Sequence, residues 1–107
     1  MLINVGRGMR RQDLEILLKA AQMLKAVAHP ARLGIIGLLD ESGPLSVGQI
    51  QERLGTTQSM TSQHLAALKR VGAVACRKEA NVCYYSIQNR DILKLLECIS
   101  KCAAGHS

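Results

Sequence analysis

The sequence predicts a mainly α-helical domain that carries one small antiparallel β-hairpin. Three observations predict it. Apolar residues recur at helical spacing through most of the chain. Residues 46–71, SVGQIQERLGTTQSMTSQHLAALKRV, hold two such runs separated only by Gly-Thr-Thr, a pattern of helix, tight turn and helix. Past Gly72 the pattern changes to two short runs rich in Val, Cys, Tyr and Ile, which read as strands. With 107 residues, 48% hydrophobic but only 2% aromatic, the chain suits one domain around one aliphatic core.

Residues 1–11 read as a flexible basic arm with Arg7, Arg10 and Arg11, and residues 12–107 as the domain proper. From Gln12 to about Ala28 the apolar stripe is Leu14, Ile16, Leu17, Ala20, Ala21, Leu24 and Val27. Asp13 and Glu15 near its start and Lys25 near its end suit the helix dipole. His29-Pro30 ends this helix, because a residue before proline resists the α conformation. Pro30 then opens the next helix, where its missing N–H costs nothing. That helix, Ala31 to Leu39, reads as almost wholly buried through Leu33, Ile35, Ile36, Leu38 and Leu39. Gly34 and Gly37 on it invite close approach by another helix. Residues 40–44 form a turn, and Leu45 is expected as a single β-bridge residue.

Ser46 is suited to cap the third helix, whose apolar positions are Val47, Ile50 and Leu54. Gly55 supplies a left-handed stop. Thr57 can cap the fourth helix. Its expected buried stripe is Met60, Leu65, Leu68 and Val71, and its opposite face carries Gln58, Ser59, Ser62, Gln63, Lys69 and Arg70. Thr61 and His64 fall at the border. Gln, Ser and Thr add little to helicity. Their amides and hydroxyls donate and accept as base edges in a major groove require. This segment therefore reads as a helix-turn-helix, with an ordinary helical hairpin as the plainer alternative.

Ala73 to Lys78 and Val82 to Ile87 read as two strands around a Glu79-Ala80 centre. Arg77, Lys78 and Asn81 give the hairpin a basic tip, so it reads as a wing able to meet phosphate or a minor groove. Asn89 or Asp91 caps a last helix reaching about Ala103, with Ile92, Leu95, Leu96 and Ile99 as its stripe. The amphipathic first and last helices are the natural surface for a homodimer, which would set two recognition helices roughly 34 Å apart. The net charge of +6 favours a polyanionic partner, double-stranded DNA being the simplest. No run is long enough to span a bilayer, and the opening residues lack a signal-peptide core, so a cytoplasmic protein with reduced cysteines is expected. No nucleophile–base pair, phosphate loop or paired carboxylates point to an enzyme, and no obligatory cofactor is expected.

LKAVAHPARLGIIGLL, LSVGQIQERLGTTQSMTSQHLAALKRVGAV and RKEANVCYYSI resemble the winged-helix repressors of the ArsR/SmtB family, over roughly residues 14–100. The resemblance implies a dimer that binds an operator and leaves it when an inducer binds. It implies that Gln58, Ser59, Thr61, Ser62 and Gln63 face bases, that Lys69, Arg70, Arg77, Lys78 and Asn81 mostly hold backbone, and that His64 is structural. Three sensing sites of the family lack their residues here. No cysteine pair stands at residues 46–49. The zinc positions of the last helix fall on Asn89, Asp91, Cys102 and Gly105. The second-helix cysteine of the persulfide sensors is Gly37.

Four cysteines remain. Cys98 and Cys102 lie one turn apart on the last helix, a spacing that lets two thiolates share a soft ion such as As(III), Cd(II) or Hg(II). A partner-chain cysteine, or more weakly His106, would be a third ligand. With the turn centred on Glu79-Ala80, Cys76 and Cys83 stand directly opposite each other, Cβ atoms ~4.5–5.5 Å apart and close to disulfide separation. Packing is the favoured role for Cys76 and Cys83, whereas the closeness of Cys98 and Cys102 to the expected dimer surface favours function. The sequence thus predicts a DNA-binding repressor released by a thiol-binding soft metal or metalloid. Cysteine oxidation or persulfidation at Cys98 or Cys102 is the second reading, and a helical interaction module that binds no DNA is the reading from a different class.

Overall fold

The computed structural model describes residues 8–105. The basic arm therefore lies mostly outside the described residues, as does His106. The chain runs α1 (Arg11–Val27), α2 (Pro30–Ser42), β1 (Leu45–Ser46), α3 (Val47–Leu54), α4 (Gln58–Arg70), β2 (Val74–Glu79), β3 (Val82–Ile87) and α5 (Arg90–Ala103).

Most boundaries follow from capping chemistry. The Asp13 carboxylate accepts from the Arg10 backbone N–H at 3.1 Å and satisfies one open donor at the start of α1. His29 caps α2, its Nδ1 accepting from the Ala31 N–H at 3.0 Å, with Pro30 as the first helical residue. Ser46 and Gln49 form a reciprocal box on α3: the Ser46 hydroxyl accepts from the Gln49 N–H, and the Gln49 side chain accepts from the Ser46 N–H. Gly55, at φ +69°, ends α3 in the left-handed conformation that a side chain would strain. Thr57 accepts from the Met60 N–H at 3.1 Å to begin α4. Asn89, rather than Asp91, caps α5 by accepting from the N–H groups of Asp91 and Ile92.

Helix α2 sits at the centre. Ile35, Ile36 and Leu39 are buried against Ile50 of α3, Leu65 and Leu68 of α4, Val74 of β2 and Ile92 and Leu96 of α5. Three expectations about α2 need correcting. It extends to Ser42 rather than Leu39, and Leu33 is 40% exposed, so only one face of it is core. Gly34 does face α3, where an added Cβ would touch Leu54, but Gly37 has open space in front of it.

The sheet is antiparallel in the order β1-β3-β2. Strand β1 has two residues, Leu45 and Ser46, paired with Tyr85 and Tyr84. In the hairpin, Val74 pairs with Ile87, Cys76 with Tyr85, Lys78 with Cys83 and Glu79 with Val82. The turn is thus centred on Ala80-Asn81, one residue beyond the expected Glu79-Ala80. Both turn residues have positive φ, 51° and 69°, as a two-residue hairpin turn matched to strand twist requires. Cys76 and Cys83 are consequently diagonal neighbours on one face, not directly opposed partners. Their Cα atoms are 5.7 Å apart and their sulfurs meet, so the pair is placed to form the disulfide that its spacing allows. Among the described residues, no helix is long and apolar enough to cross a membrane.

Candidate nucleic-acid interface

Helix α4 divides into two faces. Thr61, His64, Leu65, Ala67 and Leu68 are buried, while Gln58, Ser59, Ser62, Gln63, Lys69 and Arg70 are exposed. The expected polar face is therefore brought to one side as a set. Two positions differ from expectation. Thr61 is fully buried, and its hydroxyl donates to the Thr57 carbonyl one turn earlier at 2.8 Å, which withdraws it from base contact. Met60, expected in the buried stripe, is 43% exposed and adds an apolar surface beside Ser59 and Gln63. Sequence reasoning missed Met60 on this face because its apolar side chain fits the buried stripe by spacing.

The inner face of α4 is held by a polar contact as well as by packing. Arg32 Nε donates to His64 Nδ1 at 3.1 Å, and Arg32 Nη1 donates to the Ala26 carbonyl at 3.0 Å. One guanidinium thus links the end of α1, the first turns of α2 and the middle of α4. The His64 ring lies 4.6 Å from that of His29. Burial, the nearby His29 and the Arg32 charge together lower the His64 pKa from its ordinary 6.5. A neutral imidazole is what the contact needs, because a protonated Nδ1 has no lone pair to accept from Arg32. His64 is structural in this fold.

The wing carries the second group of expected contacts. Strand alternation places Val74, Cys76 and Lys78 on one face, with Cys83, Tyr85 and Ile87 beside them. Arg77 and Glu79 fall on the other face with Tyr84 and Ser86. Arg77 and Lys78 therefore point to opposite sides of the hairpin. Arg77 pairs with Glu79 at 3.3 Å, an exposed pair that adds little stability. Asn81 is exposed in the turn. On the last helix, Cys98 and Cys102 are free and exposed. Among the described residues, no cluster of three or more His, Cys, Asp or Glu side chains is placed to hold a metal ion.

A helix-turn-helix domain family model matches residues 27–77, the span from the end of α1 into the wing. The transcriptional activator HlyU of Vibrio cholerae is 38% identical over 97 residues, covering 90% of this chain and 89% of its own length. A biofilm growth-associated repressor of Agrobacterium fabrum is 35% identical over 81 residues, covering 76% and 68%. Among solved structures, the homodimeric winged helix-turn-helix DNA-binding domain of Mb0332 from Mycobacterium bovis, described as a possible ArsR-family transcriptional regulator, superposes with a TM-score of 0.82. It is 31% identical, with 92% of this chain and 91% of that one covered.

Proposed function

Because the chain belongs to the ArsR/SmtB family of winged helix-turn-helix transcriptional regulators, we propose that it is a cytoplasmic homodimeric repressor that binds operator DNA through α4 and the wing. The observation that carries this reading is the two-sided character of α4: one face locked into the core, the other presenting Gln58, Ser59, Ser62 and Gln63 beside Lys69 and Arg70. Amides and hydroxyls read base edges, and the cations of α4 and of the wing hold the flanking phosphates. Dimer formation uses α1 and α5, whose Leu14, Ile16, Leu18, Leu24, Leu95 and Ile99 are 42–56% exposed in the single chain. An apolar area of this kind is stable in water when a second copy covers it.

Fluorescence anisotropy with a duplex taken from upstream of the gene tests the reading. Affinity falling steeply between about 50 and 200 mM salt is expected, because each phosphate contact releases counterions. Shallow salt dependence, with no preference for the upstream duplex, would favour the interaction module that binds no DNA.

The inducer of this repressor is a thiol-binding soft metal or metalloid ion such as As(III), held by Cys98 and Cys102. Both thiols are accessible and one helical turn apart on an element of the proposed dimer interface. A partner-chain cysteine would complete the ligand set. Accessibility also supports the second reading, oxidation or persulfidation of the same thiols. Release from DNA by As(III) or Cd(II) that disappears in a Cys98→Ser/Cys102→Ser variant is the expected result. Release by a persulfide donor alone would move the assignment to the second reading.

A further inference from the structure

The Cys76–Cys83 bond closes a ring of eight residues at the end of the wing. Arg77, Lys78 and Asn81, the three wing residues assigned to DNA, all lie inside that ring. Toward the sheet, the wing is fixed by Val74, which is fully buried, and by Tyr85 and Ile87 packed on the core. The two half-buried sulfurs sit between this anchored root and the basic tip, where a cross-link has most leverage over the tip's position.

We propose that Cys76 and Cys83 form a reversible thiol–disulfide site, oxidised by a low-molecular-weight disulfide, whose closed form fixes the wing tip for DNA binding. The site is separate from Cys98 and Cys102, and its effect on DNA rests on the function proposed above. The chemistry balances as two exchanges. Lys78 is the direct cross-strand partner of Cys83, and either cysteine can make the first attack as its thiolate. With Cys83 first, its Sγ attacks one sulfur of the small disulfide, whose S–S bond breaks and releases one small thiolate. Cys76 Sγ, having lost its proton to solvent, attacks the Cys83 sulfur of the mixed disulfide and releases the second. Two protein thiols are oxidised, one small disulfide is reduced to two thiols, and excess thiol reverses both steps.

Closing the ring removes alternative conformations of a tip that the body does not hold, so less ordering is left to be done on the duplex. The oxidised protein therefore binds more tightly, by about fivefold or more, and duplex DNA shifts the pair toward the disulfide by the same factor. The experiment uses the full chain equilibrated in buffers of reduced and oxidised glutathione, with non-reducing peptide mapping by mass spectrometry. Anisotropy on the upstream duplex follows, for the wild type, a Cys76→Ser/Cys83→Ser variant and a Cys98→Ser/Cys102→Ser variant. A Cys76–Cys83 linked peptide, with tighter binding that the first variant loses and the second keeps, is the expected result. Mixed disulfides without the cross-link, or cross-linked and reduced forms of equal affinity, would overturn the proposal. If no form binds the duplex, the DNA-binding reading fails and the coupling falls with it, while the peptide map still decides the cross-link.

Discussion

Helix α4 is anchored along its whole length, whereas the wing is anchored only at its root. On α4, every turn from Thr61 to Leu68 puts a side chain into the core, and Arg32 adds a directed contact to His64. On the wing, exposure rises from 0% at Val74 to 40% at Val82 within one hairpin. Under the proposed function, the difference suits what each part would recognise. Base edges differ by single donors and acceptors, so their reader must be held in place. Phosphates are alike and evenly spaced, so ordering their reader changes affinity rather than specificity.

The largest break in this contrast should come from Leu65→Ala, which removes a fully buried side chain under the recognition face. Urea denaturation should show a loss of about 2–5 kcal/mol, whereas Val82→Ala on the wing should stay within roughly 0.5 kcal/mol. The contrast sharpens in binding specificity. Gln63→Ala should lower discrimination at one base pair by about 1–3 kcal/mol. Lys78→Ala should weaken all sequences alike and reduce the salt slope by about 1. Titration of upstream and scrambled duplexes over a salt series measures both, and equal effects of the two variants on specificity would erase the distinction.

The anchoring of α4 also makes stability depend on acid. The His64 pKa is lowered in the folded protein, so the unfolded chain binds the proton first as pH falls. This contribution is complete above the unfolded value of 6.5 and is lost progressively as pH drops below it. The slope from this one group is at most about 1.4 kcal/mol per pH unit, and His64→Gln should flatten it. Urea midpoints from pH 7.5 down to pH 5, compared between the two proteins, check this. The smallest effect belongs to the wing tip. Ala80 has φ 51°, where a Cβ is unfavourable, so Ala80→Gly should raise stability by up to about 1 kcal/mol. An unchanged thermal midpoint would mean that the turn relaxes at no cost.

The same division decided what could be read in advance. The third and fourth helices were legible because their signals are local: Ser46 with Gln49, Gly55, and Thr57 each act within one turn of their own position. Which side of α4 faces outward followed from its period. Thr61 fell at the border by its spacing and was set toward bases only by the family resemblance; its partner, the Thr57 carbonyl, shows that the hydroxyl turns inward. Hairpin register was missed because Ala80 is an unusual residue at positive φ, and only the ladder shows that Ala80-Asn81 forms the turn. Arg32 and His64 stand 32 residues apart, so nothing local joins them. The exposed stripes of α1 and α5 were legible as amphipathic from their spacing alone.

Ser46 closes β1 against Tyr84 of the wing and, with the same residue, caps α3. No spacer separates the sheet from the helix-turn-helix. For an engineer this leaves no slack at that joint: an inserted residue between Ser46 and Val47 would unseat the cap or shift the strand. The hairpin turn at Ala80-Asn81 is the place where length can be added without disturbing that joint, at the cost of moving the wing tip and enlarging the Cys76–Cys83 ring. Wings of different reach can thus be exchanged on this scaffold without retuning the reading helix, provided Leu45 and Ser46 keep their partners on β3.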